Sequence, residues 1–480
     1  MGLCKKICRA ESCFLTMGRD RKKARGILPG REREEVAIME LPKVFLDRMK
    51  ALLGGEFSDY LACMEQPPKK GVRLNPLKCD WETLEKSVPF ALSPTPFSPL
   101  CRTAEHLDKP GLLPAHHAGM FYSQEPSASS AVTVLAPQPG ENILDLCAAP
   151  GGKSTQIAGL LQGRGLLWAN EIVRSRAAAL LSNLERMGAE NAVVSSCHPQ
   201  KLCESLRGYF DRVLVDAPCS GEGMFRRDET AVREWTPESP AACAQRQQSI
   251  LDSAALAVRE GGVLVYSTCT FSVEENEGTV KSFLQRHPEF TLLPIEESFG
   301  RPAFDLPAAR RIFPMDGGEG HFVAKLLRTG ENPCRILTLS GQARKETARM
   351  ARELFDSLFF DPLTAPIAQF GDKVLLLPEK LPQLSGLGVL RAGVELGEQR
   401  GNRIEPAHGL FMSRKKVQCR NSLDFSPDSP ALAAFLRGEE IDSGTAGYTA
   451  VCVNGVVTGF GKASGGRLKN RYPKGLRNFG

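Results

Sequence analysis

Between residues 118 and 328 the chain alternates strand-length apolar runs with segments of helical period, and this alternation constrains the fold more than any other feature. The runs fall near 142–146, 166–170, 192–196, 212–216, 262–267, 291–295 and 321–327. Strands that alternate with helices build parallel sheets covered on both faces, which is why such strands are apolar almost throughout. The expectation is an α/β protein with a doubly wound, Rossmann-like sheet of seven strands. Helix signals fit that spacing. Over 173–187, Ala177, Leu180, Leu181, Leu184 and Met187 share one face and Gly188 ends the run, while Pro240 suits the first turn of a later helix.

In an open sheet of this kind the ligand crevice lies at the carboxyl ends of the strands. The run ENILDL leads through Cys147, Ala148, Ala149, Pro150, Gly151 and Gly152 to Lys153 at a helix start. Small residues there let a ligand approach the backbone. Glu171 closes the next run 20 residues beyond Gly151, a spacing at which an acid commonly binds ribose hydroxyls. This is the pattern of a nucleoside cofactor. The fragment GGKST also looks like a phosphate-binding loop, with VLVDAP as its metal-binding acid, but that pattern needs glycine where Cys147 stands. A P-loop nucleotide hydrolase is therefore the runner-up.

Two further turns, VLVDAPCSGEG and VLVYSTCTFS, place Cys219 and Cys269 just after apolar strands. They can face one substrate although they are fifty residues apart. In a chain with 15 cysteines the competing reading of each is an inert buried thiol.

Taken together, DLCAAPGGKST, VLVDAPCSGEG and VYSTCTFSVEENE resemble the Nop/Sun family of RNA cytosine methyltransferases. RLN at 73–75, GMFYSQEPSAS at 119–129 and RRIFPMDGGEGHFVAKLL at 310–327 extend the likeness over nearly everything after residue 40, and the long tail is similar to the RsmF (YebU) branch. Two departures stand out: His198 where the family carries a carboxylate after the third strand, and Met315 where histidine is common. The resemblance implies a class I methyltransferase sheet, S-adenosylmethionine as cofactor held by residues 147–153, Glu171 and Asp216, and methylation of carbon 5 of a cytidine. It assigns Cys269 as the nucleophile that adds to carbon 6 and Cys219 as the residue that assists release; spacing alone leaves their order open. A thiolate adding to carbon 6 turns carbon 5 into an enamine nucleophile, which splits one difficult step into two. Asp216 would bond the cytosine edge or the cofactor, with a turn cap as its structural alternative. The implied partner is RNA, 16S rRNA of the small ribosomal subunit first, with transfer RNA methylation and a non-catalytic assembly factor as alternatives.

Lys153 reads equally as a substrate contact or as a solvated helix-start lysine. Ser272 and Glu275 form a capping-box pattern, expected to start a helix whose positive end favours thiolate at Cys269. His116, His117 and His198 have no metal-like partners at useful spacing, Cys4, Cys8 and Cys13 match no zinc or iron–sulfur spacing, and no CxxC occurs, so no metal is expected. The cysteine content without a secretory leader, and the lack of an apolar run near 18 residues, argue for a cytoplasmic protein with no membrane span.

The formal charge of +6 is concentrated early: residues 1–39 hold 10 basic against 5 acidic residues, leaving 51 against 50. That extension reads either as a start-site misassignment, with Met39 the native start, or as a flexible basic arm. Residues 40–117, broken by Pro67-Pro68 and ALSPTPFSPL, form a small accessory RNA-binding domain ahead of the methyltransferase domain at 118–328. Residues 329–400 make a middle domain or linker. Residues 401–480 resemble a β-rich PUA-like RNA-binding module; within them 443–480 contain no acid, and Lys462, Arg467, Lys469, Arg471, Lys474 and Arg477 surround Tyr472 in an expected phosphate-tracking surface.

Overall fold

The computed structural model describes residues 41–334, 336, 339, 343–379 and 381–478, so the reading of the basic extension lies outside the described residues. Helix Lys43–Leu53 opens the chain and buries Phe45, Met49 and Leu53, one residue per turn on a single face. With helix Phe57–Met64 it covers the back of the Cys219 and Cys269 turns, where Phe45 meets Phe225 at 4.9 Å and Tyr60 meets Phe271 at 5.7 Å. A four-stranded sheet follows, from β1 (Gly71–Leu74), β2 (Leu92–Pro94), β3 (Cys101–Ala104) and β4 (Phe121–Ser123), in the order β2-β3-β1-β4.

All seven expected runs are strands of one central sheet: β5 (Asn142–Asp145), β6 (Leu166–Asn170), β7 (Ala192–Ser195), β8 (Phe210–Asp216), β9 (Val258–Thr268), β10 (Phe290–Leu293) and β13 (His321–Arg328). Strands β7-β6-β5-β8-β9 run parallel, and β13 joins antiparallel to β9. The sheet has ten strands rather than seven. Two of the additions, β11 (Arg301–Pro302) and β12 (Arg310–Ile312), are too short to show an apolar period.

Alternation within the strands feeds two cores. Leu144, Trp168, Val193, Val213, Leu264 and Phe322 face one side with Leu251 and Ala254 of helix Ser239–Ala257. Ile143, Leu167, Val194, Leu214, Val265 and Val323 face the other, with Ile157 of helix Gly152–Leu161 and with Leu180 and Leu184 of helix Arg174–Arg186. The last helix matches the expected 173–187 within a residue at each end, and Pro240 sits in the first turn of Ser239–Ala257.

Strands β14 (Ile367–Phe370), β15 (Lys373–Leu376), β17 (Val394–Arg400) and β18 (Arg403–Pro406) form a separate antiparallel sheet. Between them in sequence, β16 (Val389–Ala392) leaves to pair with β7, so the segment read as middle domain or linker also supplies the tenth central strand. The β-rich end consists of β19 (Ser422–Phe425), β20 (Ile441–Asp442), β21 (Gly447–Val453), β22 (Val456–Ser464) and β23 (Arg467–Asn470) in the order β19-β21-β22-β23-β20. Tyr472 is not part of an exposed surface there. It is buried against Phe435, and its hydroxyl meets His117 Nδ1 at 2.7 Å, tying this module to the N-terminal one. An aromatic ring among glycines looks exposed in sequence, yet those glycines are what let it pack: a Cβ on Gly459 would sit 2.9 Å from the Tyr472 ring. Among the described residues no helix is long and apolar enough to cross a membrane.

Asn170 holds the carboxyl ends of three strands in place. Its amide donates to Leu146 O (3.3 Å) and Cys197 O (3.0 Å), while its Oδ1 accepts from Ser195 Oγ (2.8 Å) and Cys197 N (3.1 Å). The side chain is fully buried, so its loss leaves several polar groups unpaired. Asn170→Ala is expected to cost about 2–4 kcal/mol of stability. Urea unfolding followed by tryptophan fluorescence measures this, and an unchanged midpoint would show that the strand ends hold without the amide.

Candidate active site

The parallel strands deliver their carboxyl ends to one edge of the sheet. The turn after β5 wraps residues 147–153 into a cradle: Ala148 N bonds Asn170 O (2.9 Å), Arg176 Nη2 holds Ala149 O (3.0 Å) and Asn183 Nδ2 holds Pro150 O (2.9 Å). Gly151 has φ +115°, a conformation that favours glycine, and a Cβ on it would lie 3.2 Å from Leu180 Cδ1. From below, buried Arg73 bonds Gly152 O, Gln124 Oε1 (2.7 Å) and Thr155 Oγ1 (2.6 Å). The arginine of the RLN run thus braces the glycine turn from its helix side.

Three acids surround this cradle. Asp145, which closes β5, is fully buried; one oxygen accepts from Ser154 Oγ (2.6 Å) and the other has no partner. Burial pushes its carboxyl up to about 7. Glu171 is buried after β6, with Oε1 accepting from Val173 N (2.8 Å) and Oε2 lying 3.4 Å from Arg176. Asp216 closes β8 and accepts from Lys153 Nζ (2.7 Å) and from Ser267 Oγ (2.7 Å). Burial opposes the charge on Lys153, but Asp216 outweighs it and holds the ammonium above its ordinary range. Lys153 is thus neither a solvated helix-start residue nor a phosphate ligand; it is the partner of Asp216. The Cys147 thiol between these groups is pushed well above its usual value by burial and then by the surrounding carboxylates. An unpartnered buried acceptor, a glycine cradle and three convergent acids fit a ligand that carries a sulfonium, an amine and ribose hydroxyls.

Cys219 and Cys269 do face one another, with Sγ atoms 3.0 Å apart, and Cys269 N donates to Cys219 Sγ at 3.3 Å. The contact with Cys269, burial and then nearby Glu275 hold the Cys219 thiol well above its usual value. The expected capping box after Cys269 is only half formed. Ser272 Oγ accepts from Glu275 N (3.3 Å), but the Glu275 carboxylate turns away to Ser220. The first turn, Glu274–Gly278, is a π-helix and the α-helix begins at Thr279. Glu274, Glu275 and Glu277 stand in that first turn, with the Glu275 carboxylate on Ser220 and the Glu277 carboxylate on Arg311.

His198 is exposed, one residue beyond buried Cys197, and caps no hydrogen bond at helix Pro199–Ser205. Ile172 stands exposed beside Glu171. Met315 packs with the N-terminal aromatic cluster. Among the described residues no group of three His, Cys, Asp or Glu could hold a metal ion. Asp145 escaped the sequence reading, although an acid closing an apolar run was its visible signal; Ser267, which orients Asp216 from the next strand, had none.

A carboxyl whose folded-state value lies above its unfolded one binds an extra proton when folded, so stability falls as pH rises through the window between them. For Asp145 that window runs from its ordinary 3.8 to about 7. Asp145→Asn removes this loss. The difference in thermal midpoint between the variant and the natural protein should therefore shift in favour of the variant between pH 5 and pH 8, and an identical difference at both would sink the assignment.

Comparison with known proteins gives this geometry its family. The profile of 16S rRNA methyltransferase RsmB/F matches residues 132–327, that of the N-terminal domain of RsmF matches 41–126, that of the first RsmF C-terminal domain matches 351–413, and that of the RsmF PUA domain matches 422–478. The chain is 33% identical over 473 residues to ribosomal RNA small subunit methyltransferase F of Vibrio vulnificus (strain YJ016), covering 91% of this chain and 97% of the relative. It is 32% identical to the protein of that name from Klebsiella pneumoniae (strain 342), covering 91% and 96%. Among solved structures, a methyltransferase homolog protein from Pyrococcus horikoshii superposes with a TM-score of 0.54 at 28% identity, covering 60% of this chain and 96% of that one. NSun6 from the same organism, at 24% identity and a TM-score of 0.56 over 61% and 100% of the chains, shares the fold. The phosphate-loop alternative is thereby set aside, and S-adenosylmethionine is the cofactor. The chain belongs to the 16S rRNA methyltransferase RsmB/F family, in its RsmF branch.

Proposed function

We propose that this protein methylates carbon 5 of a cytidine in RNA, with 16S rRNA of the small ribosomal subunit as substrate, through a covalent bond between Cys269 and carbon 6, and that it works in the cytoplasm. The single observation that carries the reading is the 3.0 Å approach of two thiols at the edge of a methyltransferase sheet. The named relatives act, by their names, on small-subunit ribosomal RNA, which supports that choice of substrate. The intact thiol pair favours turnover over a purely structural role in assembly.

The resemblance gives the two thiols different parts, and their sulfurs lie 3.0 Å apart. Cys269 as thiolate adds to carbon 6, and the displaced electron pair accumulates at carbon 5. Asp216, fixed on one side by Lys153 and on the other by Ser267, accepts from the protonated base edge and so favours the protonated ring that thiolate addition needs. Bound S-adenosylmethionine supplies the electrophilic methyl group. The carbon 5 proton then leaves, its electron pair restores the double bond, and the bond to Cys269 breaks; Cys219 handles protons in this half of the reaction. Glu171 is positioned after β6 to accept from the cofactor ribose.

Glu171→Ala should weaken S-adenosylmethionine binding by roughly 1.5–3 kcal/mol, the loss of charged acceptors for ribose hydroxyls. Calorimetry reads this directly, and unchanged affinity would move the ribose elsewhere. The thiols should fail differently. Cys269→Ala is expected to abolish methylation without any covalent RNA species, whereas Cys219→Ala should permit attack and methyl transfer but leave RNA attached through Cys269. A denaturant-resistant band of retarded mobility reports the adduct. Its appearance only with Cys269→Ala would reverse the roles, and full methylation by both variants would end the covalent reading.

A further inference from the structure

The two turns that carry Cys219 and Cys269 exchange buried carboxylates. Glu275, from the turn after Cys269, accepts through Oε2 from Ser220 N (2.9 Å) and Gln247 Nε2 (2.8 Å), and through Oε1 from the Ser220 hydroxyl, with the Thr270 hydroxyl oxygen 3.3 Å away. In return Glu222, from the turn after Cys219, accepts from Thr270 Oγ1 (3.0 Å) and Phe271 N (3.1 Å). Gly223 N also donates to Cys269 O at 2.9 Å, and the hydroxyls of Ser220 and Thr270, each adjacent to a thiol, lie 2.8 Å apart.

Both acids are almost wholly buried, a placement that is costly unless their acceptor sites are filled. For Glu275 these contacts reach the chain on either side of Cys219, directly at Ser220 and through Gln247 at Pro218. Glu275 takes the backbone N–H of the following residue, and Gln247, which Glu275 orients, donates to Pro218 O at 3.2 Å on the preceding one. Tyr266 completes the set, its hydroxyl bonding Gln247 Oε1 (2.9 Å) and Glu275 O (2.6 Å). Neither carboxylate touches a sulfur. Their reach is to the backbone that aims the sulfurs.

We propose that Glu275 is a positioning residue that latches the two thiol turns together and thereby sets Cys219 Sγ against Cys269 Sγ for the release half of the reaction. The proposal rests on the paired-thiol reading above. A carboxylate suits the post because all of its partners are donors. Glutamine can replace it without rearrangement: its carbonyl would accept from the two N–H groups while its amide donates to the two hydroxyl oxygens. Alanine cannot, and it would free the Cys219 turn.

The test uses the full chain and two readouts. The rate at which diamide, taking two electrons and two protons from the thiol pair, forms the Cys219–Cys269 disulfide serves as a ruler of their approach, read by peptide mass spectrometry. Accumulation of the RNA adduct during turnover reports release. Glu275→Ala should slow disulfide formation about tenfold, as an oriented pair loses its effective concentration, and should accumulate adduct. Glu275→Gln should keep the natural disulfide rate. Cofactor affinity measured alongside shows that the variant is folded; if Glu275→Ala does not fold, Ser220→Ala carries the same measurement in the same direction. A natural disulfide rate in cofactor-binding Glu275→Ala overturns the latch, as does Glu275→Gln being equally slow, which would assign the effect to charge. A slowed rate with no adduct in any variant, Cys219→Ala included, leaves the latch supported and removes the covalent reading instead.

Discussion

Burial of both faces of the central sheet is the constraint from which the rest of the molecule follows. Once helices cover each side, a parallel strand can present functional groups only at its ends, and here β5, β6, β8 and β9 all end on the same edge. Asp145, Glu171, Asp216 and the turn to Cys269 are therefore neighbours because of hydrogen-bond register, without any direct sequence relation. Asn170 then joins the ends of β5, β6 and β7 through one buried amide, so the cradle for the cofactor inherits the rigidity of the strands.

The electrostatics of the edge divide into two zones. Around the cradle, Asp145, Glu171 and Asp216 meet Lys153, Arg176 and Arg73, and Lys153 pairs with Asp216. Around the thiols, the acids are turned away from sulfur and consumed by backbone and hydroxyl donors. The carboxylates of Glu222 and Glu275 thus bind the chain beside the thiols and not the sulfurs, while Cys269 N–H is directed at the Cys219 sulfur.

Much of this was legible in the residues. The apolar runs marked every long strand of the sheet, because a strand buried on both faces must be apolar along its whole length. The pairing of Cys219 with Cys269, the cradle at 147–153 and the acid at Glu171 followed from turns at strand ends. What could not be read was anything decided by side chains meeting across the fold. Glu275 fits a capping box by spacing, yet Ser220 offers its carboxylate a partner that the local chain cannot. Tyr472 sits among basic residues and glycines, but Phe435 and His117, distant in sequence, bury it. Strands of two or three residues such as β11 and β12 carry too few positions for any period to emerge.

The pairing of β16 with β7 has a consequence for synthesis. Strand β7 stands at the margin of the parallel set, and its outer row of N–H and C=O groups is satisfied by residues 389–392, almost two hundred positions later. A chain emerging from the ribosome must hold that margin bare until most of its length has been made. Bare margins are templates for pairing with other chains, so the interval between β7 and β16 is a period of exposure to aggregation. The late strand closes it by joining the C-terminal half of the molecule to the catalytic sheet.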